Sequence, residues 1–146
     1  MVLACASEPM QQGHAERLAP MVDELLREAG LTFPDIDRLA ACSGPGTFTG
    51  VRIGLAFVRG LALVLEVPVV GVTSLQALAQ DHCSDNVKAP FWVVQDARRS
   101  QVYLQPFDAS GNPLSDAEVL DATDATQRFV DFAGTITGSG AGLVEV

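Results

Sequence analysis

At 146 residues the chain has the length of one ordinary domain. Hydrophobic residues at 48% against charged residues at 18% supply enough apolar material for a core and exclude a disordered chain. A formal charge of −9, from 18 acidic and 9 basic side chains, argues against a dedicated binder of nucleic-acid backbone, which is normally basic.

Apolar runs alternate with helical periodicity along the chain, the pattern of an α/β domain. Residues 2–6 are expected as a short strand, ended by Ser7, Glu8 and Pro9. Over His14–Ala29 the residues Leu18, Met21, Val22, Leu25 and Ala29 recur at three- and four-residue steps. That spacing predicts an amphipathic helix, with Glu16, Arg17, Asp23, Glu24, Arg27 and Glu28 covering its polar side. Gly30 is placed to end it, with Leu31 packing back on the last turn. Residues 39–43 read as a small buried strand running into SGPGTFTG (43–50) and a second helix to about Leu65. Between Val51 and Leu65 almost every residue is apolar, and Arg52 and Arg59, seven apart, share nearly one face. Such a helix is expected to be buried on most sides and to be too short for an ordinary membrane span. Gly50, Gly54 and Gly60 weaken it by roughly 1 kcal/mol each, which close approach of a neighbouring backbone would explain.

Pro68 opens a further buried strand at 69–72, and a short helix follows from Ser74 to about Gln80, capped by Thr73 or Ser74. Residues 82–90 are polar and read as a loop. Strands are predicted at 91–94 and 101–107, with a turn at Ser110-Gly111-Asn112-Pro113. The stretch 116–127 is acidic and weakly patterned, and a last short strand at 135–137 leads into GSGAG.

Composition and spacing alone reveal no catalytic constellation. SGPGTFTG lacks Gly-Lys-Ser/Thr and is no P-loop. It reads first as a tight strand-to-helix turn capped by Thr47 or Thr49, and second as a set of backbone N–H groups for an anion. GSGAG reads as a turn and does not match the dinucleotide fingerprint. His14 and His82 belong to no metal-ligand cluster, and Ser43 has neither a nearby base nor a GxSxG elbow. Cys42 reads as a small buried hydrophobe. Asp96, Arg98 and Arg99 read as a solvated turn with an Asp–Arg pair. Cys5, Cys42 and Cys83 form no CxxC, and the N-terminus lacks a basic n-region, so a reducing cytoplasm is expected.

The run SGPGTFTGVRIGLAFVRGLALVLEVPVVGVTSLQALA (43–79) resembles the bacterial TsaB (YeaZ) family, with support from GHAERLAPMVDELL (13–26), DARRSQVY (96–103) and TGSGA (137–141). The resemblance implies an α/β, ribonuclease H-like or actin-like ATPase (ASKHA) fold, a mixed sheet with helices. It implies an N-terminal subdomain over 1–90 and a partial C-terminal one over 91–146. Residues 2–6 match the family's third strand, so the first two are expected to be missing and the chain to be shortened at both ends, with an exposed strand edge as the consequence.

In function, the resemblance implies a non-catalytic partner of the TsaD threonylcarbamoyl transferase in threonylcarbamoyladenosine modification of tRNA. A TsaE-type ATPase would join the pair, tRNA would be met only through the complex, the chain in isolation would be a homodimer or a monomer, and no membrane would be involved. TsaD-type relatives carry two metal-holding histidines where this chain has Ser74 and Leu78, and a leucine cannot ligate a metal. No catalytic, cofactor or metal residue is therefore assigned. The competing expectation is an enzyme, either an ASKHA-type nucleotide hydrolase or a glycoprotease-like metallopeptidase. The family places its partner contacts on the first two helices, which gives Leu18, Met21, Val22, Leu25, Val51, Leu55 and Val58 as interface candidates. Gly44, Pro45, Gly46, Thr47, Phe48, Thr49, Gly50 and Arg52 form the family's motif loop.

Overall fold

The computed structural model describes residues 1–83 and 88–144. The chain packs as two compact units, one of residues 1–43 and 47–72, the other of residues 44–46 and 73–146. The expected change of subdomain at residue 90 falls inside the second of these.

The first unit holds two helices and a two-stranded parallel sheet. Helix α1 (His14–Ala29) has the bounds its stripe predicts. Gly30 adopts φ 70°, its N–H reaches Arg27 O, and Leu31 N–H reaches Leu26 O, closing the helix in a left-handed cap. Strand β1 (Leu39–Cys42) pairs in parallel with β2 (Val69–Val72), Leu39 opposite Val69 and Cys42 opposite Val72. Helix α2 (Phe48–Leu65) joins them.

Several expectations fail here, for one physical reason. An apolar segment is buried only when layers exist on every side of it. Val69 and Val70, which point to opposite faces, stay 41% and 42% exposed, so neither face of β2 is closed. Cys42 is exposed rather than buried, and in β1 only Ala41 is buried. Helix α2, expected to be buried on most sides, contains no buried residue. Residues 2–6 form no strand: among the described residues they pair with no other strand, and Val2 and Leu3 are exposed. An isolated strand has no partner for its backbone groups and does not hold its shape.

The second unit is a four-stranded mixed sheet in the order β5-β4-β3-β6. Strand β3 (Phe91–Arg98) runs antiparallel to β4 (Gln101–Phe107) and parallel to β6 (Thr135–Thr137), and β5 (Glu118–Asp121) runs antiparallel to β4. Alternation along β3 and β4 sends side chains to two cores. Trp92, Val94, Val102 and Leu104 pack with Ala125 and Phe129 of α4 (Ala122–Phe129) on one face. Phe91, Val93, Tyr103 and Phe107 pack with Leu75, Leu78 and Ala79 of α3 (Ser74–Cys83) on the other.

Helix α3 outruns its expected end and takes in His82 and Cys83, while positions 84–87 of the expected loop lie outside the described residues. Strand β3 extends four residues past Val94 to Arg98. There Asp96 Oδ1 accepts from the Arg98 backbone N–H, not from an arginine side chain, so the expected Asp–Arg pair is replaced by a local turn bond. The weakly patterned acidic stretch supplies both β5 and α4, fastened by an Arg128–Glu118 ion pair at 2.7 Å. GSGAG forms a close turn: Gly140 N–H donates to Val94 O and a short 3-10 helix, Ala141–Leu143, follows.

Candidate partner interface

The motif loop is divided between the units, and each part has a local structural task. Gly44, Pro45 and Gly46 belong with α3. Ser74 N–H donates to Gly44 O at 2.8 Å, and Ser74 Oγ donates to Pro45 O at 2.6 Å while lying 2.9 Å from Gln95 Oε1. Thr73 caps α3 reciprocally: its Oγ1 accepts from Gln76 N–H and its N–H donates to Gln76 Oε1, each at 3.0 Å. The carbonyls of Gly44 and Pro45 thus tie this segment to the start of α3. Ser74 and Leu78, at the positions where the resemblance puts metal histidines, are a loop anchor and a core side chain. They do not fit a metal centre.

The remaining motif residues start α2. Thr47 is the N-cap, its Oγ1 accepting from Gly50 N–H at 3.3 Å, and Thr49 lies within the first helical turn. The Arg52 guanidinium stacks 3.6 Å above the Phe48 ring. A methyl group on Gly50 would meet Thr47 Oγ1, but nothing lies within 4 Å of one on Gly54 or Gly60. Close backbone approach within this chain therefore does not account for those two glycines.

The candidate interface residues are all half-buried. Leu18 and Val22 of α1 and Val51 and Val58 of α2 line one open groove of about 500 Å³, floored by residues 39–42 of β1. Met21 lines an adjoining groove of about 310 Å³ with Leu18, His14, Arg17 and Ile53. Leu25 and Leu55 line neither. The sequence reading missed the most exposed large apolar groups of α2: Leu63 at 81%, Val64 at 79% and Phe48 at 69%. An all-round apolar helix on a chain with few elements to cover it is the signal that pointed to them.

Arg17 organises the polar side of α1. Its guanidinium pairs with Glu8 from the N-terminal segment (Nε to Oε2, 2.7 Å) and with Glu24 two helical turns further on (Nη1 to Oε1, 2.9 Å; Nη2 to Oε2, 2.7 Å). The hydrogen bonds from Arg17 hold both carboxylates below their usual range and raise the guanidinium above its own. Among the described residues, no group of three or more His, Cys, Asp or Glu side chains is arranged to hold a metal ion.

Residues 7–139 match the family model described as TsaD, tRNA N6-adenosine threonylcarbamoyltransferase. The chain is 38% identical over 109 residues to the tRNA threonylcarbamoyladenosine biosynthesis protein TsaB of Escherichia coli, covering 75% of this chain and 47% of that protein. It is 41% identical over 102 residues to TsaB of Haemophilus influenzae, covering 67% and 42%. The chain thus spans about half the length of these curated relatives. Among solved structures, YeaZ from Pseudomonas aeruginosa superposes with a TM-score of 0.74 at 30% identity, covering 86% of this chain and 70% of that one.

Proposed function

The chain belongs to the TsaB (YeaZ) family, and from that premise we propose that it serves as a non-catalytic partner of a TsaD-type subunit in threonylcarbamoyladenosine modification of tRNA. Its mixed sheet with helices on both faces fits the ribonuclease H-like, actin-like ATPase fold of that family. The observation that carries the partner role is α2: 18 residues of mean hydropathy 1.7, none of them buried. Apolar surface left wet costs about 25 cal/mol per Å², and helices of a partner packed ridges-into-grooves against α1 and α2 would cover it.

By length and composition α2 also qualifies as a membrane span, which corrects the expectation that it is too short. At 18 residues it lies at the lower end of the roughly 17–25 that span a bilayer. It carries Arg52 and Arg59 as well, so a protein partner is the better match. A TsaE-type ATPase joining the complex, a homodimer in isolation, contact with tRNA only through the complex, and a cytoplasmic setting complete the proposal.

Co-purification with a TsaD-type subunit tests it. Association is expected with the unaltered chain and lost in Met21→Glu and in Leu63→Gln/Val64→Gln, with the circular dichroism spectrum unchanged. No association, or association untouched by both variants, would overturn the partner role. ATP hydrolysis or peptide cleavage by the purified chain alone would overturn its non-catalytic part.

A further inference from the structure

In a parallel pair, alternate residues of a strand turn their backbone groups toward the neighbour and the others turn away. Leu39 N–H donates to Pro68 O and Ser43 N–H to Val72 O, which sets Leu39, Ala41 and Ser43 toward β2. Ala40 and Cys42 therefore direct their N–H and C=O groups to the other edge of β1, and among the described residues no strand lies there. The groove of about 500 Å³ is on that side, for it is lined by all four residues of β1 and by none of β2. Consecutive strand residues point to opposite faces, so a groove touching all four runs along the edge and not over one face.

The helical wall of the groove is apolar, with Leu18, Val22, Val51, Phe57, Val58 and Leu61, and no charged side chain lines it. Outward backbone donors and acceptors beside such a wall fit an extended segment that adds a strand to β1 and sets alternate apolar side chains on the helices. Every copy of the chain carries one segment of that kind uncovered. Residues 2–6, Val-Leu-Ala-Cys-Ala, are uncharged, pair with no strand among the described residues and leave Val2 and Leu3 exposed. Within its own chain this segment does not reach the groove: Glu8 is tied to Arg17, Ala6 lies in the adjoining groove beside His14 and Ile53, and none of residues 2–6 lines the edge of β1.

We propose that residues 2–6 of a second copy of this chain lie in the groove as a strand on the free edge of β1, each copy giving its segment to the other about a twofold axis. A second copy meets both needs at once, since it brings a segment without a partner to an edge without one. Charge selects the place of contact as well: at −9 the chain repels its own copy over most of its surface, whereas this edge and this segment are neutral. The inference rests on the homodimer in isolation named above and supplies its contact. Leu63, Val64 and Phe48 do not line the groove and stay available to a TsaD-type subunit.

Sedimentation velocity of the full chain over a concentration series is the test, joined to cross-linking between cysteines. A concentration-dependent dimer is expected, at least tenfold weaker in Leu3→Asp and in Ala40→Pro, which removes an outward N–H and leaves the bonds to β2 in place. Should Ala40→Pro fail to fold, Leu3→Asp decides, because residues 2–6 pair with no strand that it could disrupt. Cys5 lies in the segment and Cys42 on the edge, so a short bismaleimide should join a Cys42→Ala/Cys83→Ala chain to a Cys5→Ala/Cys83→Ala chain when the two are mixed, and neither chain to itself. A dimer unchanged in Leu3→Asp, or no cross-link in the mixture, would overturn the strand pairing while leaving a homodimer by other contacts. A monomer at every concentration would overturn the pairing and the homodimer together, and a Cys5–Cys42 cross-link confined to single chains would give the groove to the chain's own segment.

Discussion

Ser74 Oγ donates to Pro45 O across 2.6 Å, and the same residue's N–H donates to Gly44 O at 2.8 Å. Two residues far apart in sequence thereby bind the glycine-proline loop to the first turn of α3. Replacing Ser74 by alanine keeps the backbone bond and removes the hydroxyl one. The loss is expected to be about 1 kcal/mol, the net worth of a partly buried hydrogen bond whose acceptor is left behind. Urea unfolding of Ser74→Ala should show the midpoint lowered with the slope unchanged.

The turn between β3 and β4 holds three consecutive non-glycine residues at positive φ: Arg98 at 65°, Arg99 at 52° and Ser100 at 61°. Each such L-residue costs roughly 1–2 kcal/mol, of which glycine avoids most while giving back about 0.5–1 kcal/mol of unfolded-state entropy. Ser100→Gly is therefore expected to stabilise the chain by about 0.5–1 kcal/mol. A lower or unchanged unfolding midpoint would show that the strain is not relieved there.

Glycines at two places should respond with opposite signs. Gly60 lies within α2 with open space around a Cβ position, so Gly60→Ala is expected to gain roughly 1 kcal/mol from helix propensity alone. Gly138 has φ 106°, and a Cβ there would sit 2.3 Å from Val94 O, a backbone atom with no room to retreat. Gly138→Ala is expected to cost about 3 kcal/mol or more through strain and overpacking combined. Thermal melts of the two variants, run side by side, check both signs.

The Glu8–Arg17–Glu24 cluster predicts an acid response of the N-terminal segment. Both carboxylates are held below their ordinary value of 4.5 by hydrogen bonds from Arg17. A depressed folded-state value means that the contribution is present above the unfolded value and is lost as pH falls through the folded one. Carbon-detected titration should place the Glu8 and Glu24 inflections below 4.5 and move them back toward it in Arg17→Gln. Inflections at the ordinary value in the unaltered chain would show that the cluster does not form.

By itself the sequence determined the elements whose information is local. The three- and four-residue spacing of Leu18, Met21, Val22 and Leu25, closed by Gly30, sets α1 residue for residue. Short apolar runs set β2, β4 and β6 to the same bounds. The motif SGPGTFTG with its flanking runs was enough for the family, because loop chemistry and order along the chain survive without coordinates.

What only the tertiary structure decided depends on partners distant in sequence. A strand exists only beside another, so residues 2–6 stayed irregular while the acidic 118–121 segment became β5 once β4 lay alongside it. Thr47 prevailed over Thr49 as the cap of α2 because its side chain faces the N–H of Gly50. Hydropathy measures how much an apolar helix gains from cover, not whether cover is there, so α2 reads as core in the sequence and lies open in the fold. Gln105 is the converse case: one amide in an apolar strand passes unnoticed until folding carries Ser115 to its nitrogen and leaves its oxygen buried without a partner among the described residues.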